Sequence, residues 1–384
     1  MSRLVKMQFA IAKLNFWLYY KRTESVKAEN RPHVFSPESK PEVKMMKKLL
    51  AMLLALSMVF ALCACGSTAA PAPSAAPAAS DAPAASEAPA AEVNDKLTFA
   101  TGGETGTYYA YGSVLAQYVS GNTGLDVTAI TGNGSKSNVE DLDAGDIQLA
   151  FCQSDVMSYA YSGTNLFDAP IDSFSAVAAL YMEQVQIVTM NPDIKTVADL
   201  KGKSVSIGAV GSGVYFNAID VLGVYGMTEA DIKPVYQSFG DSAESLKDGK
   251  IDAAFIVAGA PTTAITDLST SGQVYLVSID DEHIDQLLAL SPYYSKYTVP
   301  AATYGMPDDA STVAVAAVVL ARNDVSDDAV YAFVASIFEN TDVITEQHAK
   351  GAELSLDFAS YITDVPYHAG AARYFADKGI DVAK

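Results

Sequence analysis

Three times along this chain a short β-rich run breaks into a glycine- and serine-rich turn and then into helical periodicity. Leu97–Ala100 leads into Thr101-Gly-Gly-Glu-Thr-Gly-Thr107 and a helix from about Tyr108 to Val119. Leu125–Ile130 is followed by Gly132-Asn-Gly-Ser135, a short acidic helix ending near Gly145, and a third strand at Ile147–Cys152. The rhythm restarts at Lys203, with a strand at Val205–Ile207, a turn at Gly208–Gly213 and a helix to about Tyr225. Strands near Val235, Ala254 and Val274 follow. Strands that alternate with helices predict βαβ units on a parallel sheet, hence an α/β class. Two long apolar runs, Val185–Met190 and Val313–Ala321, join the two sets as a double crossover. The expected architecture is two lobes on a double-strand hinge. Residues 96–190 and 311–384 form lobe 1 with the hinge and C-terminal helices, and residues 191–310 form lobe 2. Ligands of open α/β sheets sit outside the carboxyl ends of the strands, so the cleft between such lobes is the expected site.

Three turns lie at those strand ends. In the first, Gly102, Gly103 and Gly106 permit unusual backbone conformations and Thr107 is placed to cap the following helix. In the second, Ser135 or Ser137 is placed to cap the helix that holds Asn138. In the third, Ser212 is placed to cap the helix that holds Tyr215 and Asn217. Tight βα turns need Gly and Ser whether or not anything binds. Three of them in one chain, with Tyr108 and Tyr109 on the first helix, favour a carboxylate- or phosphate-sized site at helix starts.

The front of the chain concerns location. Lys47 and Lys48 precede an apolar run from Leu49 to Leu62, shorter than the about 20 residues of a membrane-spanning helix. It suits a signal-peptide core behind a positive segment. Its end, Leu62-Cys-Ala-Cys-Gly-Ser67, resembles a bacterial lipoprotein signal, which makes Cys65 the lipidated first residue. Residues 45–64 are then the leader, with the start at Met45 or Met46, and residues 1–44 are expected to be an upstream translation artefact. Residues 65–95 are nearly all Ala, Pro, Ser and acidic, too poor in apolar surface to pack, and read as a disordered tether. The expected place is the outer face of the cell membrane, or the periplasm. An anchor of this kind fixes the address rather than the activity.

Charge and composition narrow the activity by exclusion. A formal net charge of -20 argues against nucleic acid, whose phosphates need Lys and Arg. The three cysteines, Cys63, Cys65 and Cys152, leave no disulfide framework and no metal pair after cleavage, and Cys152 reads as a small hydrophobe in a buried strand. No metal or cofactor is expected. Gly208-Ala-Val-Gly-Ser-Gly213 has the wrong spacing for a dinucleotide fingerprint, and no phosphate-loop lysine motif occurs. None of the four histidines sits in a catalytic motif, and the acidic pairs read as solvated faces, so no enzyme is expected.

The segment Thr101-Gly-Gly-Glu-Thr-Gly-Thr-Tyr-Tyr109 resembles the start of the TAXI family of solute-binding proteins, which serve TRAP transporters. The resemblance runs on through Gly134-Ser-Lys-Ser-Asn138, Asp146–Asp155, Asp199–Lys203, Gly211-Ser-Gly213, Leu246–Phe255 and Gly259-Ala-Pro261. It ends with Pro292–Tyr294, Val299-Pro300, Thr303-Tyr304 and Pro366–Gly370. It thus spans essentially residues 97–380. It implies a type II periplasmic-binding-protein fold that closes as a hinge on glutamate, glutamine, 2-oxoglutarate or a similar small acid. It also implies a monomeric receptor and an ion-driven TRAP membrane partner. Carried over by position, Thr105, Gly106, Thr107, Tyr108, Tyr109, Ser135, Asn138, Gln153, Ser154 and Asp155 line one rim. Gly211, Ser212, Gly213, Pro261 and Tyr304 line the other, with Glu183 near the crossover. The departure from the family is Lys136-Ser137, where a smaller and then an acidic residue are expected; Lys136 either reaches a carboxylate or points to water, the second being preferred.

After the tether only Arg322 and Arg373 remain as arginines, and neither follows a cleft turn. A ligand carboxylate is therefore expected at the Thr105–Thr107 helix start, held by backbone N–H groups, hydroxyls and amides. Three rivals stand beside this reading: a lipoprotein receptor for an ABC importer, a sensory receptor, and an enzyme on the same scaffold using Glu183 and Asp155.

Overall fold

The computed structural model describes residues 95–384. The expectations for residues 1–44, the leader at 45–64, Cys65 and the tether up to residue 94 lie outside the described residues.

The first half alternates as expected: β1 (Lys96–Ala100), α1 (Thr107–Asn122), β2 (Asp126–Ile130), α2 (Ser135–Ala144), β3 (Leu149–Gln153) and α3 (Ser154–Ser162). The long strand β4 (Phe174–Thr189) leads into β5 (Ser204–Ser206), α4 (Val214–Val224), β6 (Lys233–Val235), α5 (Phe239–Lys247) and β7 (Ala253–Ala258). Then come α6 (Thr263–Ser271), β8 (Tyr275–Leu276), α7 (Asp281–Leu290), β9 (Ser295–Val299) and the second long strand, β10 (Ala310–Arg322). The chain closes with α8 (Asp327–Phe338), α9 (Thr341–Gln347), a 3-10 turn at Ala349–Glu353, α10 (Leu356–Ala359) and α11 (Ala369–Asp377).

One sheet carries all ten strands. Its main path runs β2-β1-β3-β10-β4-β7-β5-β6, with β8 beside β4 and β9 beside β10. β1 is parallel to β2 and β3, and β5 is parallel to β6 and β7. Between these parallel sets run β4 and β10, antiparallel to each other and to their outer neighbours. Both are longer than the apolar runs that announced them, because each serves two lobes. β4 pairs with β10 from Phe174 to Gln184 and with β7 from Gln184 to Val188. β10 pairs with β9 from Ala310 to Ala314 and with β3 from Ala317 to Ala321.

The buried side chains divide accordingly. One core gathers β1–β3, α1, the first part of β4, the last part of β10 and the C-terminal helices, through residues such as Phe99, Tyr111, Phe151, Phe333 and Phe375. A second core holds Val185, Ile187, Phe255, Val313 and Val315, and a third holds Val188, Ala254, Ile256 and Tyr304. Successive residues of β7 alternate between the second and third cores, as the two-residue period of a strand requires when both faces are covered. This is a two-lobed α/β fold of the periplasmic-binding-protein kind, hinged on two shared strands. The sequence boundaries at residues 190 and 311 fall near the outer ends of β4 and β10, whereas their apolar side chains change core around Gln184 and Ala316. Cys152 is fully buried in β3.

Candidate functional site: the interlobe cleft

The starts of α1, α2 and α4 face the cleft, and none is capped as the sequence suggested. The cap positions are Gly106, Gly134 and Gly213, and no side chain accepts a hydrogen bond from any of the three first turns. Thr107 is the first residue of α1, and its hydroxyl donates instead to the Gly259 carbonyl at 2.8 Å. The Ser135 hydroxyl accepts from the Gln153 N–H at 3.0 Å. Ser137 gives its N–H to the Gly211 carbonyl at 2.9 Å. The Ser212 hydroxyl is buried with no partner among the described residues. In each turn glycine occupies the cap and the neighbouring hydroxyl is spent on tertiary contacts or left unpaired.

Close approach explains the glycines. A Cβ on Gly213 would stand 1.8 Å from Gln153 Oε1 on the opposite lobe, and one on Gly134, whose φ is +104°, would stand 3.2 Å from the Ser212 Cα. The lobes are closed on each other. Besides the Thr107–Gly259 and Ser137–Gly211 bonds, the Ala264 N–H donates to the Thr105 carbonyl at 3.1 Å.

Below these contacts lies a buried polar chain that spans both lobes. Gln153 Nε2 donates to Asn217 Oδ1 at 2.6 Å. Asn217 Nδ2 donates to Asp155 at 2.8 Å and reaches the Tyr294 hydroxyl at 2.9 Å, which itself donates to Asp220 at 2.9 Å. Burial pushes the Asp155 carboxyl up to about 6, against the opposing hydrogen bond from Asn217. Burial likewise pushes Asp220 up to about 7. Satisfied networks of this kind fix one arrangement of the groups they join, here two lobes.

The cleft holds a cavity of about 470 Å³, the scale of a small-molecule site. Lobe 1 supplies Gly102–Glu104, Gly106–Tyr108, Thr131–Ser135, Asp141 and Gln153; lobe 2 supplies Ala209, Ser212–Val214, Gln237–Phe239, Val257 and Ala258. Glu183, from the hinge strand β4, forms the floor. The Tyr108 hydroxyl donates to Glu183 Oε2 at 2.6 Å, and the Tyr108 ring stacks on Phe151 at 4.7 Å between centroids. Burial pushes Glu183 up to about 8, opposed by the Tyr108 hydrogen bond and, more weakly, by the Lys350 charge. Burial and the adjacent carboxylate hold the Tyr108 hydroxyl well above its usual range. Among the described residues the lining includes three acidic side chains and no Lys, Arg or His.

Of the residues expected from sequence, Gly106, Thr107, Tyr108, Ser135, Gln153, Glu183, Ser212 and Gly213 meet at this cavity. The others stand around it. Thr105 and Gly211 give their carbonyls to the lobe contacts. Asn138 is buried, donating to the Thr101 and Phe151 carbonyls. Ser154 accepts from the Ala316 N–H of β10, and Asp155 belongs to the buried chain. The Tyr304 hydroxyl, behind β7, donates to Gln186 and accepts from the Thr262 N–H. Tyr109 and the exposed Pro261 are outside the lining. Lys136 does not point to water: its side chain is 17% exposed, paired with Glu140 and lying over the Phe167 ring. Arg322 is held by Asp324 and the Gly145 carbonyl, and Arg373 by Asp328, so neither serves the cleft. Sequence reasoning passed over Gln237–Phe239, Val257 and Ala258. All follow or end strands β6 and β7, so the strand-end rule could have reached them.

The chain belongs to the NMT1-like family, whose model matches residues 99–379. Among solved structures it is similar to the alkanesulfonate-binding protein SsuA from Xanthomonas axonopodis pv. citri bound to MOPS, at 17% identity and TM-score 0.42 over 75% of this chain and 85% of that one. A protein from Bordetella bronchiseptica RB50 is 17% identical with TM-score 0.46 over 73% and 88%. The ligand-binding component of an ABC-type import system from Staphylococcus aureus, with zinc bound, is 12% identical with TM-score 0.45 over 74% and 92%. What those proteins bind does not carry over at this distance.

Proposed function

We propose that this member of the NMT1-like family is an extracytoplasmic receptor that captures a small carboxylate-bearing solute and delivers it to a membrane transporter. Glutamate, glutamine, 2-oxoglutarate and similar acids are the ligand class. The observation that carries the reading is the cleft cavity of about 470 Å³ at the strand ends of both lobes, onto which three glycine-capped helix starts open. Helix N-termini carry free N–H groups and a positive dipole end, which hold a carboxylate without an arginine. The two shared strands provide the hinge, and the direct bonds between lobes provide the closed state. Asp155, which an enzyme would need beside Glu183 as acid or base, is hydrogen-bonded to Asn217 outside the cavity lining, and that supports binding over catalysis.

The TAXI-like motifs favour a TRAP-type ion-driven transporter as the partner. An ABC importer is the second reading, and the family match supports it at least as well. Cys65 and the Ala/Pro tether suit a lipid-anchored monomer at the membrane face under either reading. Thermal unfolding of the purified protein with millimolar amino acids and 2-oxo acids tests the ligand class, since a ligand of the folded state raises the transition by mass action. A rise of several degrees with at least one of them is expected; no shift with any small acid would overturn it. Uptake in reconstituted vesicles separates the partners: an ion gradient drives a TRAP transporter and ATP an importer. Labelled fatty acid that incorporates into the wild type and not into Cys65→Ser tests the anchor.

A further inference from the structure

The charges around the cavity are one-sided. Glu104, Asp141 and Glu183 line it, and no basic side chain among the described residues does. Lys350, whose charge reaches Glu183, and Lys136, at the start of α2, are committed elsewhere. Lys350 is buried, paired with Glu353 at 2.5 Å, and lies over the Tyr181 ring; Lys136 is paired with Glu140. Glu183 is 1% exposed, yet the only hydrogen bond to its carboxyl among the described residues comes from Tyr108, on Oε2. Its other oxygen has no such partner. On the lobe 2 wall the Ser212 hydroxyl is also without a partner among the described residues. A buried carboxyl that only one hydroxyl bonds, and whose facing cation Lys350 is already paired with Glu353, is unfavourable as an ion.

We infer that the solute enters with an ammonium group, which Glu183 accepts at the cavity floor while Tyr108 holds that carboxylate in place. The ligand class is then an α-amino acid rather than a 2-oxo or purely anionic acid. This rests on the receptor reading above and sharpens it: the carboxylate goes to the glycine-capped helix starts and the ammonium to Glu183. The elevated position of Glu183, about 8, agrees with an acid that awaits a cation. Facing it are the hydroxyls of Tyr108 and Tyr181, the thiol of Cys152, the carboxyl of Asp155 and the ammonium of Lys350. An incoming ammonium favours the ionised carboxylate, so binding below pH 8 releases a proton.

The test is calorimetric titration of the full-length protein with L-glutamate, L-glutamine, 2-oxoglutarate and 2-oxoglutaramate, for wild type, Glu183→Gln and Tyr108→Phe. At least one amino acid is expected to bind about 100-fold tighter than its 2-oxo counterpart, with Glu183→Gln removing most of that difference and Tyr108→Phe a smaller part. Titrations of the wild type at pH 7 in buffers of different ionisation enthalpy should show proton release, which needs no variant. Equal or tighter binding of the 2-oxo acids overturns the inference and leaves the receptor reading intact, as does an unchanged preference in a folded Glu183→Gln. If no acid of either kind binds, both fall.

Discussion

Three helix starts at the cleft are built differently from the side-chain-capped starts elsewhere on the molecule. Around the cleft Gly106, Gly134 and Gly213 occupy the cap positions and supply no side chain. Away from it Asp280, Ser326 and Ser355 each cap a helix by accepting the N–H three residues on and His368 by accepting the one two residues on, while Thr262 and Asn340 make no cap bond. Ser238 is intermediate: it lines the cavity, yet its hydroxyl caps α5. A side-chain cap stabilises its own helix by occupying an N–H that would otherwise stay open. At the three cleft helices no side chain occupies a first-turn N–H, although the Gly211 carbonyl takes that of Ser137. The same glycines let the lobes approach within van der Waals distance, so one substitution would alter both closure and donor supply.

The largest effect should come from Gly213→Ala, whose Cβ would fall 1.8 Å from Gln153 Oε1. The Gln153 amide must then leave its bond to Asn217 or the lobes stay apart, and ligand affinity should drop by about 100-fold in a titration, with far-ultraviolet circular dichroism unchanged. Gly106→Ser installs a cap where the backbone, at φ -100° and ψ 161°, already suits one. The hydroxyl would compete with the solute, and affinity should fall by about tenfold while stability hardly moves. Unaltered affinity in that variant would break the comparison.

The buried acids sharpen it through pH. Glu183, Asp220 and Asp155 are raised to about 8, 7 and 6. A folded-state value above the unfolded one means that the folded protein binds the proton more tightly. The stabilisation is complete below the unfolded values and is lost as pH rises through the folded ones. The ligand-free protein should therefore melt at a higher temperature at pH 5.5 than at pH 8.5. The difference should shrink in Glu183→Gln and when an ammonium ligand is bound. The smallest effect belongs to Ser326→Ala, far from the cleft. It should lower stability by about 1 kcal/mol in a denaturant titration and leave ligand affinity unchanged.

Much of this was legible from sequence because it is local. The βα alternation, the glycine turns and the two long apolar runs are patterns in consecutive residues, and strand ends point to the cleft by a general rule. The caps misled because Thr107, Ser135 and Ser212 each adjoin a glycine, and composition does not say which of two neighbours takes the cap position. Tyr108 with Glu183, and Gln153 with Asn217, are pairings across 75 and 64 residues, which no window of sequence reveals. Lys136 was read as solvated because its partners were not visible: Glu140 lies one helical turn on and Phe167 comes from a distant loop.

The central claim is that a small solute is enclosed between the lobes at glycine-capped helix starts. The most direct measurement is a crystal structure of the protein grown with the tightest-binding amino acid from the titrations. The account predicts density in the cavity touching both lobes, with a ligand carboxylate within hydrogen-bond distance of a first-turn N–H of α1, α2 or α4. A solute bound outside the cleft, or paired with Arg322 or Arg373, would contradict it.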